Sequence, residues 1–213
     1  VTDKVMTFNA IKTTATQFVT DANGIVEIKN LLTSNNGKDA ITYTIEEFSN
    51  DNYGYTKIVD AQNVIIERTK TKEVTITNEK QVGNLKIYKK DFDDSNKNIK
   101  NATFVLKSSY GKGYLKVKAT GNSVTNDKTT GYATKIVGSA TINDSANNTD
   151  DKVAIFNESK ENATKFVTDA NGIIEIKNLL MSNNGKDAIT YTIEEISNTN
   201  YAYTKLADFK DVT

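Results

Sequence analysis

The stretch FVTDANGIVEIKNLLTSNNGKDAITYTIEE, Phe18 to Glu47, returns as FVTDANGIIEIKNLLMSNNGKDAITYTIEE at Phe166 to Glu195, a constant offset of 148 residues. Only Val26/Ile174 and Thr33/Met181 differ. Such fidelity marks a tandem duplication, and near-identical copies in series give a chain length or valency rather than a second active site. Within the stretch, GIVEIKNL and AITYTIEE alternate apolar and polar residues and are bounded by the turn clusters DANG and SNNGKD. Val, Ile, Thr and Tyr at period two are the mark of half-buried β-strands.

Working outward, DKVMTFNAIKTTAT (Asp3 to Thr16) matches DKVAIFNESKENAT (Asp151 to Thr164), and YTKIVD (Tyr55 to Asp60) matches YTKLAD (Tyr203 to Asp208). Residues 1–65 are thus the register counterpart of 149–213, while 66–148 occur once. This is the expectation for a slice of a longer repetitive polypeptide. The unique part has the same texture in KEVTITNE, NLKIYKK, ATFVLKS and GYLKVKAT, and no segment keeps a helical period. The expected fold is all-β, a sandwich or partly open barrel of antiparallel strands. VTNDKTTGYATKIVGSATINDSANNTD (Val124 to Asp150) is less regular and is read as a long hairpin or surface excursion. NEKQVGN (Asn78 to Asn84) is the expected junction, giving domains 1–82 and 83–213.

Composition removes many functions. The 213 residues carry 27 Lys+Arg against 27 Asp+Glu, so no basic face points to nucleic acid or an anionic membrane. Cys and His are absent. The common zinc, iron–sulfur, haem and thiolate sites and the Ser-His-Asp or Cys-His nucleophile systems therefore have no parts, and neither a metal nor a cofactor is expected. No apolar run reaches a membrane-spanning length of about 18–20 residues, and no signal-peptide pattern opens the chain, so any targeting or anchoring segment is expected elsewhere. DFDDSNKN (Asp91 to Asn98) lacks the central Gly and the closing Glu of a calcium loop and reads as a hairpin turn. YGKGY (Tyr110 to Tyr114) reads as a tight turn rather than a sugar platform.

Strand alternation places three polar residues at the ends of apolar rows. Leu85, Ile87, Lys89 form one row; Tyr191, Ile193, Glu195 and its copy Tyr43, Ile45, Glu47 form another; Val74, Ile76, Asn78 form a third. On this register Glu46 and Glu194 face solvent. A strand leaving the core explains any one of these rows. Together, an amine, a carboxyl and a carboxamide are the parts of an amine–carboxamide condensation, since burial favours the neutral forms of both amine and acid. The neutral amine attacks the carboxamide carbon while the acid relays protons, leaving an amide.

NLKIYKKDFDDSNKNIKNATFVLK, TDANGIIEIKNL, TYTIEE followed by NYAYTK, and KEVTITNEK resemble, in order, the blocks of the Cna B-type (SpaA-like) domain of Gram-positive surface adhesins and pilins. The resemblance covers nearly the whole chain apart from roughly 108–150. It implies tandem immunoglobulin-like or transthyretin-like β-sandwich modules that close a Lys–Asn or Lys–Asp isopeptide bond with help from a Glu. Lys89 matches the amine, Glu47 and Glu195 the assisting carboxyl, and Asn78 the acceptor on the final strand. Where members of the family carry Pro-x-Gly-Tyr after the Glu strand, this chain has SNDNYGY and SNTNYAY. The function expected from this is a structural repeat of a bacterial cell-surface fibre, pilus or adhesin stalk, extracellular, with neighbouring repeats or other copies as partners. The alternative is a multivalent repeat that grips a host matrix protein or glycan. No enzyme is expected beyond single-turnover bond formation. With the division at 82/83, neither domain holds a whole trio: Asn78 closes one and Lys89 opens the next.

Overall fold

The computed structural model describes residues 6, 13–47, 54–57, 63–121, 123–143, 153–183, 187–198 and 209–212. They fall in two compact units, Val1–Ser49 with Asp60–Thr75, and Asn50–Val59 with Ile76–Thr213. In chain order the strands are β1 (Ser34–Asn35), β2 (Asp39–Ala40), β3 (Thr42–Tyr43), β4 (Tyr55–Lys57), β5 (Val64–Ile65), β6 (Asn78–Lys80), β7 (Val82–Tyr88), β8 (Ala102–Ser108), β9 (Tyr114–Val117) and β10 (Ala119–Thr120). There follow β11 (Val124–Asn126), β12 (Ala133–Val137), β13 (Ser139–Ile142), β14 (Ala154–Glu158), β15 (Lys165–Val167), β16 (Ile173–Leu180), β17 (Ser182–Asn183), β18 (Asp187–Ala188), β19 (Tyr191–Asn198) and β20 (Phe209–Val212). Among the described residues there is no helix.

In the second unit, β10-β13-β16-β7 form a four-stranded sheet and β11-β12-β15-β8-β19-β20 run through an eight-stranded one, with β9 joining β8 to β14. The inward residues of both sheets share one core: Leu85, Ile87, Ile142, Ile174 and Ile176 from the first, Phe104, Leu106, Leu115, Ile136 and Phe166 from the second. Two sheets closing on one apolar interior is how alternating strands hide their apolar faces. β4 pairs with β6, Lys57 opposite Asn78, and this ladder belongs to the second unit; the expected boundary at 82/83 put both strands on the earlier side.

Two readings of the sequence need correction. Of Val124 to Asp150, the described part, 124–143, forms the expected hairpin in β11 and β12 but is not a surface excursion, since Ala133, Ile136, Ala140 and Ile142 are core residues; 144–150 lie outside the described residues. Nor are all strand pairs antiparallel, since β12 runs parallel to β15 and β13 parallel to β16. The reason is Gly138, at φ 71°, where the chain passes from one sheet to the other. Its N–H donates to the Val167 carbonyl (2.9 Å) and its carbonyl accepts from Glu175 (3.2 Å), one bond into each sheet. The neighbouring chain crosses beside it through the turn at Asp169, and two chains crossing in the same sense pair parallel.

The first unit shows what the repeated stretch does without such neighbours. Its local chemistry is the same as in the second copy. Asp21 Oδ1 accepts from the N–H groups of Asn23 and Ile25 (both 2.9 Å), as Asp169 Oδ1 does from Asn171 and Ile173 (both 2.9 Å). Tyr43 donates to the Leu32 carbonyl and Tyr191 to that of Leu180, each at 2.8 Å. The β1–β2 and β17–β18 hairpins share a register, and Tyr43 stands opposite Val64 as Tyr191 stands opposite Val212. Yet Gln17–Val19 and Ile25–Leu32, the counterparts of β15 and β16, are not strands.

Candidate functional site: a lysine–glutamate pair between the sheets

Lys89 follows β7, in which Leu85 and Ile87 are buried and Lys86 and Tyr88 exposed, so the pleat carries its side chain inward. The backbone there is fixed. Lys89 N–H donates to the Gly172 carbonyl (2.8 Å), and its own carbonyl accepts from Ile99 (2.9 Å). Gly172 sits at φ 69°, and a Cβ on it would lie 2.6 Å from the Lys89 carbonyl oxygen, so the approach requires glycine.

On β19, Tyr191, Ile193 and Glu195 are buried, the row expected from the sequence. The Lys89 Nζ donates to Glu195 Oε2 at 2.9 Å, with 20% of the lysine side chain and 4% of the glutamate side chain exposed. β7 and β19 belong to different sheets, so this contact joins the two layers across the interior. The pair is half-buried, and the lower local dielectric makes its hydrogen bond stronger than the same bond in water.

Asn78 lies on β6 in the same unit, but no turn separates β6 from β7. At about 3.3 Å per residue, Asn78 and Lys89 stand at opposite ends of an extended run more than about 20 Å long. The structure thus brings Lys89 and Glu195 together and leaves Asn78 elsewhere. Glu47 belongs to the other unit, where it is less exposed than Glu46. Most of SNDNYGY and SNTNYAY lies outside the described residues.

Glu194 departs from the solvated place expected for it. It accepts the Tyr114 hydroxyl on both oxygens (3.1 Å each) and the Lys160 ammonium (2.6 Å) on Oε2, on the outer side of the same strand. Burial, followed by this hydrogen bond to Glu194, holds the Tyr114 phenol above its ordinary range. Alternation locates the face but not the partners, because Tyr114 and Lys160 are 80 and 34 residues away. The loop at Asp91 is a turn, its Oδ1 accepting from Asp93 (2.9 Å) and Asp94 (3.4 Å). Compared with family models, curated proteins and solved structures, the chain has no match.

Proposed function

We propose that the chain is a structural repeat of a bacterial cell-surface fibre, pilus or adhesin stalk, built of tandem immunoglobulin-like modules, in which Lys89 forms an isopeptide bond with an Asn side chain, assisted by Glu195. The observation that carries this reading is the half-buried Lys89–Glu195 hydrogen bond between the sheets. A proton passes along it from the ammonium to the carboxylate. The neutral Nζ attacks the Asn Cγ; Glu195 gives its proton to the departing amide nitrogen and takes one from Nζ. The Cγ–NH₂ bond breaks, ammonia leaves, and a Cγ–Nζ amide remains.

The acceptor in this reading is the Asn of another KEVTITNEK strand, from a further repeat or a neighbouring chain, because Asn78 stands far from its own Lys89. An edge of the sandwich receives such a strand through main-chain hydrogen bonds. A bridge of this kind routes pulling force through a covalent bond and constrains the unfolded chain as a long-loop disulfide does, by roughly 4–5 kcal/mol for loops near a hundred residues. It needs no oxidising compartment, which suits a chain without Cys. Mass spectrometry of the chain extended through a further KEVTITNEK strand tests it: loss of one ammonia, abolished by Lys89→Ala, is expected, and an unchanged mass contradicts it.

A further inference from the structure

The two copies of the repeated stretch differ in one respect that their sequences do not explain. Phe166 and Ile176 are 0% exposed, while Phe18 and Ile28, the same residues one period earlier, are 55% and 40% exposed. Val19, Ile25, Val26, Leu32 and Ile45 are also exposed large apolar residues. Among the described residues of the first unit, Val64 is the one buried apolar side chain. The turns and hairpins match, so what is missing is the cover.

The second copy identifies that cover. β15 lies between β12 and β8, and β16 between β13 and β7. All four partners come from residues 82–142, the part of the chain that occurs once. Register is specific: Phe166 stands opposite Phe104, Ile174 opposite Ile87 and Ile176 opposite Leu85. Within residues 1–213 the repeated stretch occurs twice and its four-strand complement once, packed on the downstream copy. A second copy of the chain does not correct the imbalance, because lending its 82–142 segment uncovers its own β15 and β16. Burying one face would expose another, with no net gain in apolar burial.

We infer that residues 17–47 are a docking site for a polypeptide segment with the four-strand pattern of Val82–Ile142, one not already engaged in a sandwich of its own. On docking, Gln17–Val19 and Ile25–Leu32 become strands, with Phe18, Val26 and Ile28 taking the places of Phe166, Ile174 and Ile176. The assignment rests on burial and register and does not depend on covalent chemistry at Lys89.

The test mixes the whole chain with a separately produced polypeptide of residues 82–148. A one-to-one complex is expected, with amide exchange of residues 18–32 slowed by at least about a hundredfold. Ile28→Asp abolishes the complex while the urea midpoint of the second unit stays unchanged. Three results overturn the inference: no complex in excess probe, a complex formed equally well by Ile28→Asp, or a dimer of the chain alone with residues 18–32 protected. As a second arm, a chain with an additional copy of residues 83–148 fused ahead of Val1 protects 18–32 as strongly as 166–180. Fast exchange there contradicts the inference regardless of the probe's solubility.

Discussion

At the residue scale, Lys89 and Glu195 are tied to each other, and removing one partner leaves the other charge in a poorly solvated place. Glu195→Ala is expected to destabilise the second unit by about 2–4 kcal/mol, less than for a fully buried pair because the amine reaches some solvent. Lys89→Met combined with Glu195→Leu costs less than either loss alone. Urea titration of the wild-type chain, Glu195→Ala, Lys89→Met, Glu195→Leu and the double variant checks both statements, and a double variant as weak as the sum of Lys89→Met and Glu195→Leu contradicts them. Thr168 is a second such residue: its buried Oγ1 donates to the Ile99 carbonyl and accepts from Ala102 N–H, both at 2.9 Å. Thr168→Val keeps the shape but strands both backbone groups, an expected loss of about 1–3 kcal/mol in the same titration. Outside the core, the Tyr114 phenol titrates above the ordinary tyrosine value of about 10, and Glu194→Gln brings its midpoint down; ultraviolet absorbance against pH reads both.

At the scale of elements, the rows Leu85/Ile87/Lys89 and Tyr191/Ile193/Glu195 were legible because a strand's period assigns faces without reference to anything distant. Three things were not legible, each for the same reason. Parallel pairing at Gly138, the core role of Ile136 and Ile142, and the partners of Glu194 all depend on strands far away in sequence. The repeated segment shows the limit most directly: GIIEIKNL in the second copy carries strand β16, flanked by β13 and β7, while GIVEIKNL in the first forms no strand. Strand propensity records fitness for a pleated surface, and the surface has to be supplied. The turn preceding that segment carries its own prediction. Gly24 and Gly172 hold similar positive φ, but a Cβ on Gly24 meets nothing within 4 Å, whereas one on Gly172 strikes the Lys89 carbonyl. Gly172→Ala is expected to cost the second unit about 2–3 kcal/mol and to pull Lys89 from Glu195, while Gly24→Ala leaves that unit's urea midpoint unmoved.

At the scale of the whole molecule, a period of 148 residues runs through a chain whose two copies share local geometry and differ in cover. Such a polypeptide gains length by adding periods, each completed by strands that lie nearby in sequence, which suits the stalk or fibre proposed above. In that account the 213-residue chain holds the amine and the assisting acid of one bond, and a further KEVTITNEK strand brings the carboxamide. The decisive measurement is the intact mass of two proteins, the chain as it stands and the chain extended through that strand. The account predicts the sequence mass for the first and the sequence mass less one ammonia for the second, with the full mass restored by Lys89→Ala or Glu195→Ala. An extended chain that keeps its ammonia would leave the two-sheet fold intact and contradict the cross-link.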